Sequence, residues 1–340
     1  MSEARSLTVI GESVERGRHG AGVSVAGDGV TTGVSRSGPR GSHWTSDIDT
    51  RMARLEQPVR DLIGPVDDSL AEADEITIVP DVHYPFHPST GMVTDPAVIG
   101  AVTTYLGGET SSNLVVAGSS DDSIDFDRTA AYLGYTAIEE RFDCRLHDLS
   151  TERDSRITVS LPDRSETIEL SVPDSLLENP VVVVPTLRPV EAGPVAGVMR
   201  TLGCHVESGV EGREISAALR ARAAVNAIDP DLSILDATTA FAGEPFAAET
   251  LFTGEAIALD TIGTTLLGRD VNDDEALSAE LGPGTSSVRV SGCDFDSLRN
   301  RVPSGGLPPR TSTHPAVSVA YGLYAMVSGD AVPPQLEVDR

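Results

Sequence analysis

The chain has 340 residues, 39% of them hydrophobic, and sets 52 acidic side chains against 25 basic ones, a formal net charge of -27. A chain of this length buries about three quarters of its unfolded surface, and no apolar run approaches the roughly 18 to 20 residues of a membrane-spanning helix. Every base is arginine, which excludes a P-loop lysine, a Schiff-base lysine and a lysine general base, and the acidic field disfavours nucleic acid as a partner.

The N-terminus, MSEARSLTVIGES, carries early acids and no long apolar stretch, so no signal peptide is read and the expected location is cytoplasmic. Residues 1–46 are rich in Gly, Ser and Arg without strong periodicity, and are expected to form a loosely ordered segment ahead of a body spanning 47–340. Within that segment GAGVSVAGDG, Gly20 to Gly29, lacks the third glycine and the preceding strand of a dinucleotide fingerprint.

From about Asp47 short apolar runs alternate with helix-like segments, the pattern of βα units and a mostly parallel sheet. Ile76 to Val79 reads as a buried strand. Thr94-Asp95-Pro96 then offers an N-cap and a proline at the first helical position, opening a helix through about Leu106. Leu114 to Ala117 is the next strand, followed by a helix from near Asp127 to Leu133. Ile157–Leu161 and Thr167–Ser171 alternate polar with apolar around a Pro-Asp turn, which predicts a hairpin inserted near 157–171. PVVVVP, Pro180 to Pro185, predicts a central strand, because four consecutive valines suit burial on both faces. A helix over about Arg213–Asn226, a strand over Leu232–Asp236, a helix around Ala256–Leu267 and an apolar helix after His314-Pro315 complete the reading. The expected fold is α/β, a mostly parallel sheet flanked by helices, in one body or two lobes divided near 150–180.

Three stretches carry candidate chemistry. PDVHYPFHPSTG places Asp81, His83 and His87 at the C-terminal end of a strand, where open α/β sheets bind ligands. A divalent metal on those three is one option. Pro85 and Pro88 forbid the helix on which a His-x3-His pair shares a face, so a stiff loop with hydrogen-bonded histidines is the other. In the second stretch, Val184 to His205, Arg188 and Arg200 stand among Gly193, Pro194 and Gly197, and could clamp a carboxylate or phosphate; the alternative is pairing with acids of the protein itself. Third, Asp236 at a strand end and Asp260 on an apolar helix read as supporting carboxylates or as satisfied buried ones, with Thr94 beside the first loop as a ligand-binding residue. Cys204-His205 lacks a third group to orient it, and no G-x-S-x-G elbow occurs.

Cys144, Cys204 and Cys293 are scattered singly, so no iron–sulfur cluster is expected. The acid excess implies a salt-rich interior, because the Debye length falls to about 3 Å at 1 M salt and such a surface repels itself in dilute buffer. A halophile's protein is expected.

These segments, from about Glu75 to Gly268, resemble the domain-of-unknown-function family 362, some members of which carry an iron–sulfur module. Val79-Pro80-Asp81 resembles the family's Lys-Pro-Asn strand end, Thr94-Asp95-Pro96 its helix start, and Gly134-Tyr135 its glycine-tyrosine. Pro185-Thr186-Leu187-Arg188-Pro189 resembles a Pro-Lys-Leu-Lys-Thr-His strand end. Met199-Arg200-Thr201 with Gly203 resembles a Leu-Lys-Asn and glycine, and Gly254 to Asp260 a late aspartate motif. The family's lysines fall here on Val79 and Thr186, its motif histidine has no counterpart, and its cysteine cluster is missing. Arginine at 188 and 200 keeps charge but no removable proton. The resemblance therefore implies either an enzyme-like domain binding a small anion or metal at strand ends, or a noncatalytic binding or assembly protein with a vestigial site.

Overall fold

The computed structural model describes residues 6–14, 48–82, 86–120, 125–190, 193–210, 214–282 and 287–306. In chain order the strands are β1 (Ser6–Ser13), β2 (Glu75–Pro80), β3 (Asn113–Gly118), β4 (Cys144–Asp148), β5 (Asp154–Val159), β6 (Ile168–Pro173) and β7 (Val181–Val184). They continue with β8 (Glu207–Ser208), β9 (Leu232–Ala237), β10 (Ala240–Phe241), β11 (Pro245–Phe246), β12 (Thr250–Gly254) and β13 (Ser287–Ser291).

Eight of them form one sheet in the order β13-β1-β12-β9-β7-β2-β3-β4. Only β12 runs against its neighbours β1 and β9; the other five pairings are parallel, so the α/β reading with a mostly parallel sheet holds. The valine run shows why β7 sits at the centre. Val181 and Val183 pack into the core on one face of the sheet, Val182 and Val184 into the core on the other. In β3 the same alternation sends Val115 and Ala117 one way, Leu114 and Val116 the other.

The Ile48–Ile63, Pro96–Glu109, Phe126–Leu133 and Tyr135–Phe142 helices cover the second of these cores. Met52, Leu55, Val59 and Leu62 make one apolar stripe on the Ile48–Ile63 helix, spaced by threes and fours, and it lies against the Pro96–Glu109 helix. The latter starts as expected, with Pro96 at its first position and the Asp95 carboxylate accepting from Ala97 N. The opposite core lies under the Gly197–Gly203, Ala217–Ile228 and Ala256–Leu266 helices.

The hairpin is present: β5 and β6 pair antiparallel from Asp154↔Pro173 to Val159↔Ile168, and β8 adds a short third strand. One expectation needs correction. Ser6–Ser13, inside the segment read as loosely ordered, is strand: β1 pairs with β12 and β13, and Leu7 and Val9 are buried. Its apolar alternation is only a few residues long, and its partners lie at the far end of the chain. The rest of 1–46, including Gly20 to Gly29, and the helix expected after His314-Pro315 fall outside the described residues.

Packing of this kind makes a direct comparison possible. Ile78→Ala, at a fully buried position, is expected to lower unfolding free energy by about 2–5 kcal/mol, whereas Ile10→Ala, 43% exposed, should change it by roughly 0.5 kcal/mol or less in urea titrations.

Candidate functional site

The order of strands locates the place to look. After β2 the chain steps outward through β3 to β4, then returns to lay β7 on the other side of β2. The reversal between β2 and β7 is a topological switch point, and ligands of open α/β sheets bind in the crevice beyond the strand ends there. The residues leaving those two ends are Asp81 and Arg188.

They meet. Arg188 Nε lies 2.9 Å from Asp81 Oδ2 and Nη2 lies 3.0 Å from Oδ1, a fork-to-fork pair joining positions 107 apart in sequence. Around it the backbone is stitched by Thr94, whose hydroxyl accepts from Asp81 N at 2.9 Å and donates to Val184 O at 2.6 Å. Thr94 N returns a bond to Asp81 O. Asp81 and Thr94 are fully buried and Arg188 nearly so.

The next layer comes from the end of β9. Asp236 accepts from Asp95 N through one oxygen and from the amide and hydroxyl of Thr238 through the other. Asp95 also takes an ion pair from Arg51, and the Tyr135 hydroxyl donates to Thr94 O. Burial pushes the Asp236 carboxyl up to about 6, helped by the Asp95 carboxylate and opposed by the amide and hydroxyl donors. Burial likewise raises the Tyr135 phenol well above 10, and Asp95, Asp236 and Asp81 add to it.

A second buried cluster holds Arg200 and Asp260. Arg200 forks onto Asp274 at 2.7 and 2.8 Å, while Asp260 accepts from Val198 N at 2.6 Å and Met199 N at 3.1 Å at the start of the Gly197–Gly203 helix. The glycines of this stretch have a concrete purpose. A Cβ on Gly193 would overlap the Arg200 guanidinium, and one on Gly197, at φ +59, would overlap the Asp260 carboxylate. Space that the sequence suggests for a ligand is thus filled by the protein's own side chains. Burial pushes Asp260 up to about 7; the two amides and Arg200 oppose this and Asp274 adds to it.

Among the sequence-selected residues, Asp81, Thr94 and Arg188 therefore converge, with Asp236 next to them through Asp95, while Arg200 and Asp260 belong to the other cluster. His87 caps the short Pro88–Thr90 turn, its Nδ1 accepting from Ser89 N and lying 2.8 Å from Ser89 Oγ. His83 lies outside the described residues. No group of three or more His, Cys, Asp or Glu among the described residues is placed to hold a metal ion. His205, weighed in the sequence only beside Cys204, bonds instead through Nδ1 to Ser119 Oγ at 2.7 Å, at the end of β3. The partners that sequence reasoning missed are Asp274, Asp95 and Arg51. Asp274 and Asp95 each cap a helix, a signal visible as an acid before a helical run, whereas nothing local marks Arg51.

A family model, Domain of unknown function (DUF362), matches residues 76–271. The chain belongs to that family. The DUF362 match begins in β2 and covers both ends of the Asp81–Arg188 pair, but leaves β1, β13 and Asp274 outside it. No curated protein and no solved structure matches the chain.

The raised carboxyls fix a pH response with a definite sign. Because Asp236 and Asp260 titrate in the native state at about 6 and about 7, above their unfolded value near 4, the native state holds the extra protons between those limits. Their contribution to stability is complete below about pH 4 and is lost as pH rises through about 6 and about 7. In urea unfolding from pH 4 to 8, Asp236→Asn and Asp260→Asn should each flatten the corresponding part of that decline; unchanged slopes would exclude these groups as its source.

Proposed function

We propose that this DUF362 chain is a noncatalytic binding or assembly protein whose strand-end crevice is closed by its own ion pair. One observation supports the reading above the rest: the guanidinium leaving β7 is occupied bidentately by the Asp81 carboxylate, with side-chain exposures of 4% and 1%. An anionic guest would have to displace a fully desolvated internal carboxylate and leave it without a counter-charge, which costs several kcal/mol. Thr94 and Val184 O hold that carboxylate's backbone in place.

A second reading keeps an enzyme-like domain that binds a small anion or divalent metal at the strand ends, with Asp81, His83 and Asp236 as catalytic candidates, Arg188 and Thr94 as ligand-binding ones, and Asp81, His83 and His87 around a metal; Arg200 and Asp260, in the other cluster, fall outside it. It is favoured by Asp236, a buried carboxyl at a strand end raised to about 6, the kind of perturbation that active sites use. On either reading we infer an intracellular protein of a salt-rich cytoplasm with neither nucleic acid nor membrane as partner. The net charge of -27 supports this, and no helix of the described residues is long and apolar enough to cross a membrane.

Asp81→Asn separates the two readings. Removing one member of a buried pair should cost about 3–5 kcal/mol, and sulfate should then restore melting temperature in the variant while leaving the wild type unmoved. Saturable stabilisation of the wild type by sulfate, zinc or magnesium would overturn the closed-crevice reading in favour of the second. The charge carries its own test: unfolding midpoints should rise between dilute buffer and molar KCl, and a fall would contradict adaptation to salt.

A further inference from the structure

Three arginines of the described residues are buried against a bidentate carboxylate: Arg188 on Asp81, Arg200 on Asp274 and Arg222 on Asp163. The first two carboxylates are as buried as their partners, with side chains 1% and 0% exposed. Asp163 differs. Its side chain is 48% exposed, although that of Arg222 is only 5% exposed.

The anchoring of Arg222 does not depend on Asp163 alone. Arg222 rides on the Ala217–Ile228 helix, and its Nε bonds Glu280 on the Glu275–Leu281 helix at 2.9 Å, which holds the guanidinium with its two end nitrogens facing outward. Asp163 reaches those nitrogens, at 2.6 and 3.1 Å, from the turn between β5 and β6. Contact with Arg222 holds the Asp163 carboxyl below the usual carboxylate range, so it is an anion at neutral pH. A cavity of about 280 Å³ opens beside the pair, lined by Asp163, Arg222, Leu219 and Glu275 among others. A second cavity of about 400 Å³ shares Arg164 and Leu219 with the first and is walled by Ile168, Val210 and Ile215. Together they have the size of a small-molecule site.

We propose that Asp163 is a built-in substitute for a small monocarboxylate, which displaces it from Arg222 and lays an apolar chain past Leu219 towards Ile168 and Ile215. Exchanging one carboxylate for another leaves the charge on Arg222 balanced throughout. Returning a half-exposed aspartate to water costs little, since its carboxylate is already largely hydrated, whereas releasing Asp81 or Asp274 would strand a buried charge. The neighbouring acids narrow the class. Glu275 lines the cavity at Arg222, Glu166 and Glu169 line the adjoining one and Arg164 borders both, so acids outnumber bases around the groove and disfavour a phosphate dianion, while an uncharged ligand would leave the guanidinium without an anion. Leu219, Ile168, Val210 and Ile215, set among polar side chains, favour a carboxylate with a hydrocarbon tail over acetate.

This deepens the binding-protein reading by naming a ligand class, at a groove separate from the strand ends. The test is calorimetric titration and thermal shift with linear monocarboxylates from acetate to octanoate at constant ionic strength. Affinity should rise with chain length. Asp163→Asn, which removes the internal competitor, should bind octanoate severalfold more tightly than wild type and recover melting temperature with it. Arg222→Gln should lose the response; should it fail to fold, Leu219→Glu, which places a negative charge on the groove wall, should lose it instead. Octanoate that binds neither wild type nor Asp163→Asn, or that binds a folded Arg222→Gln or Leu219→Glu as well as wild type, would overturn the assignment. Asp81→Asn separates this outcome from the fate of the crevice: its octanoate affinity should equal that of wild type whether or not sulfate rescues its stability.

Discussion

A guanidinium cannot shed its proton inside a protein, so every arginine this chain buries requires a permanent anion at hydrogen-bonding distance. At the switch point between β2 and β7 that requirement is met by Asp81, and much else follows from it. The carboxylate must be held where the fork can reach it, which Thr94 does by bonding both Asp81 N and Val184 O. Thr94 in turn opens the Pro96–Glu109 helix through Asp95, and Asp95 connects by its amide to Asp236 at the end of β9. The ends of three parallel strands are thereby joined through polar contacts in a region where an open sheet would otherwise leave room for a guest.

The buried acids divide by the partner they find. Asp81 and Asp274 face guanidinium forks, while Asp236 and Asp260 are held by backbone amides and, for Asp236, a threonine hydroxyl. Amide donors offset burial only in part, and both of these carboxyls are driven upward. The absence of lysine makes the division sharper, since an arginine, unlike a lysine, cannot answer burial by losing its charge. Asp236 and Asp260 are accordingly the buried carboxyls whose protonation changes near neutral pH.

What the sequence discloses about this fold is what depends on neighbours along the chain. Four valines in a row, a Pro-Asp turn between alternating strands, and an aspartate-proline helix start each declare themselves within a few residues, and each is found. The start of the sheet does not: SLTVIGES is short, stands beside a Gly- and Ser-rich stretch, and acquires its meaning only from pairing Val9 with Gly254 and Val290. The site was legible in its parts and not in its pairings. Asp81 and Arg188 could each be selected from their position at a strand end, but that one neutralises the other is a fact about two residues 107 apart. Gly193 and Gly197 show the same limit, because a glycine that admits a ligand and one that admits Arg200 or Asp260 look identical in sequence.

Exposure of the anion, more than burial of the arginine, then decides where charge exchange is open. Asp81 follows a strand packed into both cores and Asp274 caps a helix packed into one of them, and both carboxylates are fully buried, so neither can leave its arginine at low cost. Asp163 hangs from the turn of a hairpin that is inserted into the βα alternation and belongs to a separate three-stranded sheet. Turn residues of this kind change position at little cost to the scaffold beneath them, which is why binding residues concentrate on them. A chain whose strand-end crevice is filled from within can keep a recognition surface only where its counter-ions are free to leave, and the Asp163 turn over Arg222 satisfies that condition.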